Sequence, residues 1–269
     1  MLLYNHIHAH KRNILFAGPT GCGKTEIWRV MSRLYPNIRI IDSTMLTMQG
    51  WSGSFKVRDI FSSMSQEEAE KAIIVFDEFD KFCEPLYGSN GTNYGAAAQN
   101  ELLKLIEGGQ IYFPADKGKP ALELDSSGIS FVFCGSFERL TDVKTESESS
   151  MGFGNKIQKK DAYVQYEKEI TVEDLVRYAG IRQEIGGRIN QIVQLQGMTA
   201  EDYKKILQDK TISPLHQLER QYGVKLRLGE REREKLAQEA ERTKMGVRYL
   251  RSKIQQMLDE QLFQNDEQD

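Results

Sequence analysis

Cysteine is scarce in this sequence, with three residues in a chain of 269. Cys22, Cys83 and Cys134 lie far apart and form no C-x-x-C pair. Disulfide frameworks and zinc modules need more numerous or more closely spaced cysteines, so neither is expected here. The pattern is typical of a reducing compartment, and we expect a cytoplasmic protein.

Long apolar runs are also missing. No run approaches the roughly 18 residues that a membrane-spanning helix needs, and residues 1–12 lack the pattern of a signal peptide. We therefore expect that this chain neither spans nor crosses a membrane by itself.

The chain has no excess of basic charge. Its 36 Lys and Arg residues are outnumbered by 39 Asp and Glu residues, the net charge is -3, and no long basic block is present. A protein that moves along nucleic acid needs a basic surface, so nucleic acid is not an expected partner. With 39% hydrophobic residues the chain can bury a sizeable core, and its length predicts two domains.

A complete phosphate-binding pattern, G-x-x-x-x-G-K-[ST], stands near the start of the chain. It consists of Gly18-Pro19-Thr20-Gly21-Cys22-Gly23-Lys24-Thr25. The apolar run at 14–17 predicts a buried strand before this loop, and the apolar residues after it predict a helix. The face of that helix expected to be buried contains Ile27, Val30, Met31 and Leu34.

This pattern has a direct chemical meaning. Glycines allow the backbone to curl around an anion without Cβ clashes, so that successive N–H groups and the helix N-terminus point at the phosphates of a nucleotide. Lys24 would then contact the β and γ phosphates, and Thr25 would hold Mg²⁺. Because both flanks fit, an accidental glycine-rich turn is the weaker interpretation.

Two acidic residues follow a later buried strand. Asp77 and Glu78 come directly after the apolar run 72–76, and an earlier run at 38–41 predicts another strand. Carboxylates at the carboxyl end of a parallel strand lie in the crevice where such sheets bind ligands. Asp77 would orient the Mg²⁺ shell, and Glu78 would polarise the water that attacks the γ-phosphate. A plain solvated turn is the alternative, which the preceding phosphate loop disfavours.

The remaining patterns alternate between strands and helices and end in a helix-rich part. They predict a helix at 96–106, a hairpin over 111–124, a strand at 129–133, helices starting at 172 and 199, a short strand at 224–228 and a final helix at 245–262. The strand at 129–133 would deliver Ser136 to the sheet edge that carries Asp77. A polar residue there either senses the γ-phosphate or simply ends the strand.

Two stretches place bulky apolar side chains among polar residues. Trp51 lies in Gly50-Trp51-Ser52-Gly53, and it either folds back onto the core or is held out to grip a ligand. Met151-Gly152-Phe153-Gly154 lies within 141–160, a stretch rich in Ser, Thr, Glu and Lys that predicts an exposed loop. Its Met and Phe are either hidden against the protein or used on a partner.

The order of strands, phosphate loop, acidic strand end and appended helices resembles the ring-forming AAA+ ATPases, most closely the ClpX family of protein-unfolding Clp protease subunits. Phe76-Asp77-Glu78-Phe79-Asp80-Lys81 is similar to that family's second motif, and 102–108 to the helix that follows it. The resemblance extends over essentially the whole chain. It implies an α/β fold: an AAA+ P-loop NTPase domain with a parallel central sheet at 1–197 and a smaller, mainly helical C-terminal domain at 198–269.

The resemblance also implies roles for single residues. Trp51 stands where the family carries an aromatic pore loop that grips substrate. The segment Glu184-Ile185-Gly186-Gly187-Arg188 is similar to the one bearing the arginine finger, so Arg188 would act on a neighbour's nucleotide. The segment Gly246-Val247-Arg248 is similar to the start of the helix bearing a second sensor, Arg248. Met151-Gly152-Phe153 matches, with Met for Ile, the tripeptide that docks on the partner peptidase.

Together these roles imply an ATPase that uses ATP and Mg²⁺ and assembles as a homo-oligomer, a hexameric ring. The ring would thread unfolded or tagged proteins into a ClpP-like peptidase. Three alternatives stay open: a stand-alone remodeller without a peptidase, a non-hydrolysing nucleotide-dependent regulator, and a nucleic-acid remodeller such as a helicase loader. The balanced charge disfavours the last of these.

Overall fold

The computed structural model describes residues 11–47, 55–87, 93–115, 118–138, 140, 169–226 and 228–266. These residues form two compact units. Among them, the first unit is built from the chain up to Leu195 without the short stretch Pro19–Gly23, and the second contains that stretch and the chain from Gln196 onward. Each unit has a hydrophobic core of its own.

A parallel sheet organises the first unit and confirms the predicted α/β fold. The strands within the described residues are β1 (Ile14–Ala17), β2 (Ile38–Asp42), β3 (Leu46–Thr47), β4 (Phe55–Lys56), β5 (Ile73–Asp77), β6 (Gln110–Phe113), β7 (Leu122–Asp125), β8 (Ser130–Gly135) and β9 (Gln191–Gln194). The main sheet has the order β2-β5-β8-β1-β9. Its neighbouring strands are all parallel, so their carboxyl ends share one edge.

The central strands β5 and β8 are buried along almost their whole length. They are apolar without alternation, as expected for strands covered on both faces of a parallel sheet. Phe76 stacks on Phe131 and Phe133, with ring centroids 6.1 and 5.9 Å apart. These contacts join the two strands whose ends carry the acidic residues and Ser136.

The edge strand β9 has no clear signal in the sequence. It has four residues, and the glutamines at both ends leave Ile192 and Val193 as its apolar positions. Its place comes from parallel pairing with β1, in which Ile14 lies opposite Gln191. Tertiary pairing, rather than local pattern, makes this segment a strand.

The helices of the first unit agree well with the sequence pattern. Those within the described residues are α1 (Lys24–Leu34), α2 (Gln66–Glu70), α3 (Phe79–Phe82), α4 (Tyr94–Glu107), α5 (Val172–Tyr178) and α6 (Gln183–Gly186). Helices α1, α4 and α5 confirm predicted helices, and the antiparallel pair β6 and β7 confirms the predicted hairpin.

Of the face of helix α1 that was predicted to be buried, Met31 packs against the core and is partly buried, and the other three residues are exposed. Ile27, Val30 and Leu34 are 43%, 41% and 66% exposed, whereas Trp28 is 5% exposed. Trp28 packs edge-on against Phe16, with ring centroids 5.5 Å apart. An indole ring buries more apolar area than an aliphatic side chain, so the helix turns toward the sheet at the tryptophan.

The second unit is helical in the part of it that the structure describes. Its helices are α7 (Ala200–Gln208), α8 (Pro214–Tyr222), α9 (Glu230–Thr243) and α10 (Val247–Asp266). Helix α7 begins at the predicted N-cap: Thr199 accepts from Asp202 N–H and donates its own N–H to Asp202 Oδ2 at 3.0 Å. This reciprocal pair is a capping box, which satisfies two backbone donors at the helix start.

The predicted short strand at 224–228 is wrong for the residues described there, 224–226 and 228, which form no strand. Leu226 donates its N–H to Glu219 Oε1 at 3.1 Å. The Lys225 carbonyl accepts from Gln261 Nε2 at 3.4 Å. Side chains from α8 and α10 therefore take backbone groups that a strand partner would use.

None of the three cysteines forms a disulfide, and all three are buried. Burial raises the pKa of the Cys83 thiol well above its usual value, which keeps this thiol protonated. No helix in the described ranges combines the length and the apolar character that crossing a membrane requires.

Lys11 is half-buried at the end of α4, where its ammonium donates to Ile106 O at 2.8 Å and to Ser126 O at 3.3 Å. Burial, followed by repulsion from Arg188, lowers the pKa of Lys11 from 10.5 to about 8. Between pH 8 and pH 10.5 the unfolded chain binds more protons than the folded protein. The contribution of Lys11 to the free energy of unfolding therefore rises with pH over this interval.

We expect the free energy of unfolding of the wild type to rise relative to that of Lys11→Met between pH 8 and pH 10.5. Denaturant unfolding at several pH values measures this difference. Lys71→Met is the control, because the Lys71 side chain is 70% exposed and should show no such rise. Parallel pH curves for the wild type and Lys11→Met would contradict the lowered pKa of Lys11.

Candidate functional site

The phosphate loop starts where β1 ends, at the carboxyl edge of the sheet. Gly18 donates its N–H to Gly135 O at 3.3 Å, which ties the loop to the end of β8. The Lys24 ammonium donates to Gly18 O at 2.6 Å and so spans the loop. Gly21 and Gly23 have φ of 81° and 92°, a left-handed backbone that a residue with a Cβ rarely adopts.

The loop meets the acidic strand end directly. Thr25, in the first turn of α1, donates its hydroxyl to Asp77 Oδ2 at 2.7 Å. The sheet register places Asp77 opposite Asp42, so both stand at the carboxyl edge. The structure thus brings together the two residues that the sequence predicts as Mg²⁺ ligands.

Their chemistry fits Mg²⁺. The ion prefers oxygen ligands, and it takes one or two from protein while water and phosphate complete its octahedron. Among the described residues no group of three or more His, Cys, Asp or Glu side chains is placed to hold a metal. Thr25 and Asp77 supply two adjacent oxygens, so they fit an ion whose other ligands come from water and phosphate.

Glu78 follows Asp77 in an uncommon backbone conformation. Its φ of 54° and ψ of 36° are left-handed, which costs a residue other than glycine on the order of 1–3 kcal/mol. Its carbonyl accepts from the N–H groups of Lys81 and Phe82, at 3.1 and 3.3 Å, and begins α3. Its carboxylate accepts from Lys81 Nζ at 2.6 Å. Strain of this kind is common at functional sites, and here it sits one residue beyond Asp77.

Asp80 is a site residue to which the sequence patterns assign no role. Its Oδ2 accepts from the Ser136 hydroxyl at 2.7 Å, and from the N–H groups of Ser136 and Phe137 at 3.2 Å. Phe137 has a left-handed φ of 50°, which these bonds help to hold. Asp80 therefore links the acidic turn after β5 to the segment after β8. The predicted sensing role of Ser136 stays a prediction.

Arg188 lies at the amino ends of the parallel strands, whereas the phosphate loop lies at their carboxyl ends. Its carbonyl accepts at 2.9 Å from the side chain of Asn13, the residue before β1, whereas the loop follows the other end of β1. A strand of this length spans about 13 Å. The Arg188 guanidinium donates to Glu107 Oε1 at 2.7 Å and to Glu184 O at 2.6 Å. Arg188 is thus held away from the phosphate loop of its own chain.

The other predicted site residues fall into two groups. Arg248 lies in the first turn of α10, in the second unit. Trp51 and Met151-Gly152-Phe153 lie outside the residues that the structure describes. The predictions for these residues stay predictions. Three further residues predicted to bind the nucleotide, Pro19, Thr20 and Cys22, lie within the phosphate loop.

Comparison with known proteins agrees with this geometry. Residues 14–141 match the ATPase family associated with various cellular activities (AAA), and residues 198–265 match the C-terminal, D2-small domain, of ClpB protein. The ATP-dependent Clp protease ATP-binding subunit ClpX of Treponema denticola is 29% identical over 284 residues, which cover 97% of this chain and 68% of that protein.

The AAA match contains the phosphate loop, Asp77 and Glu78, so the matched family and the site geometry concern the same residues. The second match contains Arg248 and most of the second unit. Phosphate loop, acidic strand end and parallel sheet therefore lead to one conclusion. Residues 14–141 are an AAA ATPase domain, which binds and hydrolyses ATP, and the chain as a whole is similar to ClpX.

Proposed function

We propose that this chain is a ring-forming protein unfoldase and translocase that feeds a partner peptidase. The observation that carries the proposal is the separation of Arg188 from the phosphate loop by the length of β1. A cation that helps hydrolysis from that position must act on the nucleotide of a neighbouring copy. The name of the similar protein, an ATP-binding subunit of an ATP-dependent protease, supports the proposed output.

Each residue at the carboxyl edge of the sheet has a role in this proposal. The backbone from Pro19 to Gly23 cradles the phosphates, and Lys24 contacts the β and γ phosphates. Thr25 and Asp77 share the Mg²⁺ that arrives with ATP, and their 2.7 Å hydrogen bond supports this pairing. Glu78 polarises the attacking water.

The proposed division of labour follows the two predicted domains, 1–197 for nucleotide binding and 198–269 as a helical lid. Arg248 approaches the nucleotide from the lid of its own chain, and Arg188 approaches from the adjacent subunit. Each hydrolysis site is then completed by two chains, so a closed ring, hexameric by resemblance, contains identical sites.

The partners follow from the same resemblance. Trp51 grips an unfolded or tagged protein in the central pore, and Met151-Gly152-Phe153 docks the ring on a ClpP-like peptidase. The protein works in the cytoplasm. All of these roles concern residues outside the described ranges or properties of the assembly, and they stand as proposals.

ATPase activity measured across protein concentration tests this proposal. Turnover per subunit is expected to rise as subunits assemble, and an added unfolded protein is expected to raise it further. With a ClpP-like peptidase present, the unfolded protein should be degraded only when ATP is supplied. Stimulation without degradation would favour a stand-alone remodeller, and turnover independent of concentration would contradict the shared site.

A further inference from the structure

The contact between Lys81 and Glu78 has no role in the function proposed so far. Lys81 Nζ lies 2.6 Å from Glu78 Oε2, in a short turn that begins at the strained Glu78. The Lys81 N–H also donates to Glu78 O at 3.1 Å, so backbone and side chain hold the two residues together. The local fold itself therefore brings an ammonium group onto the carboxylate that would polarise water.

The acidic groups around Lys81 keep it charged and leave Glu78 as its direct partner. The hydrogen bond to Glu78 raises the pKa of Lys81; burial opposes this shift, and the nearby charges of Glu78, Asp80 and Asp42 add to it. The Asp80 carboxylate is engaged with Ser136 and Phe137 through Oδ2. Asp42 accepts from Thr44 through Oδ1.

We propose that Lys81 is a positioning residue that holds the Glu78 carboxylate off the attacking water, so that hydrolysis requires this ion pair to open. The inference rests on the proposed role of Glu78. A carboxylate oxygen that accepts from an ammonium group at 2.6 Å has less capacity to accept from a water molecule. The pair thus lowers the rate of hydrolysis until the other catalytic groups of the site are in place.

The exposure of the pair limits how strongly it can act. The side chains of Lys81 and Glu78 are 58% and 41% exposed. Exposed ion pairs between neighbouring residues are weak, so this one can open without a large barrier. Its strength corresponds to an effect of roughly two- to fivefold on rate, which makes it a regulator of basal turnover.

Lys81→Met tests the inference because methionine keeps the apolar stem and removes the charge. We expect basal turnover to rise roughly two- to fivefold, with KM for ATP unchanged, since Lys81 is not assigned a contact with nucleotide. Lys81→Arg restores a cation and should return turnover toward the wild-type value. Lys71→Met is the matched control, because it breaks the similar exposed pair of Lys71 with Glu67 at 2.8 Å.

Two further variants separate this inference from the proposed function. Lys81→Gln is a second neutral variant, and it should raise turnover as Lys81→Met does. In the background of Glu78→Gln, Lys81→Met should have no effect. If Glu78→Gln alone turns over ATP normally, the role of Glu78 has failed. If Glu78→Gln is slow but both neutral Lys81 variants equal or fall below the wild type, the proposed role of Lys81 is overturned.

Discussion

Glu78→Gln is expected to retain nucleotide binding and to lower ATP turnover by at least ~10²-fold, the usual contribution of a positioned general base. Glutamine has nearly the same shape as glutamate but cannot take a proton from water. The main-chain bonds from Lys81 and Phe82 to Glu78 O do not involve the carboxylate, so the turn should persist. The effect should therefore appear in kcat and leave nucleotide affinity intact.

Lys24→Ala provides the contrasting phenotype for this prediction. It removes the ammonium that spans the phosphate loop and is expected to abolish nucleotide binding. Equilibrium binding of a fluorescent nucleotide and phosphate release, measured on both variants, separate the two roles. Normal phosphate release by Glu78→Gln would show that another group activates the water.

Arg188→Ala is expected to lower turnover by about 10³-fold, the lower end of the range for an arginine finger. Arg188 lies at the amino ends of the strands, and the phosphate loop lies at their carboxyl ends. The substitution should therefore lower hydrolysis of the nucleotide bound by a neighbouring subunit. Two hydrogen bonds, to Glu107 and to the Glu184 carbonyl, hold the guanidinium plane in one orientation. A cation fixed in advance needs less ordering when the neighbour's nucleotide arrives.

Mixed assemblies test the direction of this effect. A Lys24→Ala subunit keeps Arg188, and an Arg188→Ala subunit keeps its own phosphate loop, so mixing the two should recover hydrolysis that neither variant shows alone. Arg182→Ala is the control, because Arg182 pairs with Glu184 at 3.1 Å in the same segment and is assigned no role across subunits. No recovery at any mixing ratio would indicate a surface role for Arg188 within its own chain.

Local patterns predict the parts of the site that depend on contiguous residues. The phosphate loop needs glycines at two positive φ angles, and the sequence has them at Gly21 and Gly23. The capping box between Thr199 and Asp202 is equally local. The acidic pair at the end of β5 follows from one apolar run and its polar end.

The same local patterns could not predict features that depend on competition between surfaces. Helix α1 has aliphatic residues at helical spacing, yet packing of Trp28 against Phe16 decides which face is buried. Residues 224–226 have a strand-like composition, yet the Glu219 carboxylate takes the Leu226 N–H. Packing area and competing hydrogen bonds decide both cases, and neither can be seen in a short window of sequence.

The sequence by itself determined the phosphate loop, the acidic strand end, the α/β order and the start of the helical C-terminal part, because each arises from residues close together in the chain. Only the tertiary structure decided that Thr25 donates to Asp77, that Asp80 accepts from Ser136, and that Arg188 lies at the amino ends of the strands. The hydrogen-bonded partners behind these three findings lie 52, 56 and 175 positions apart in the chain. Strand pairing across the sheet brings them together, and local spacing carries no information about it.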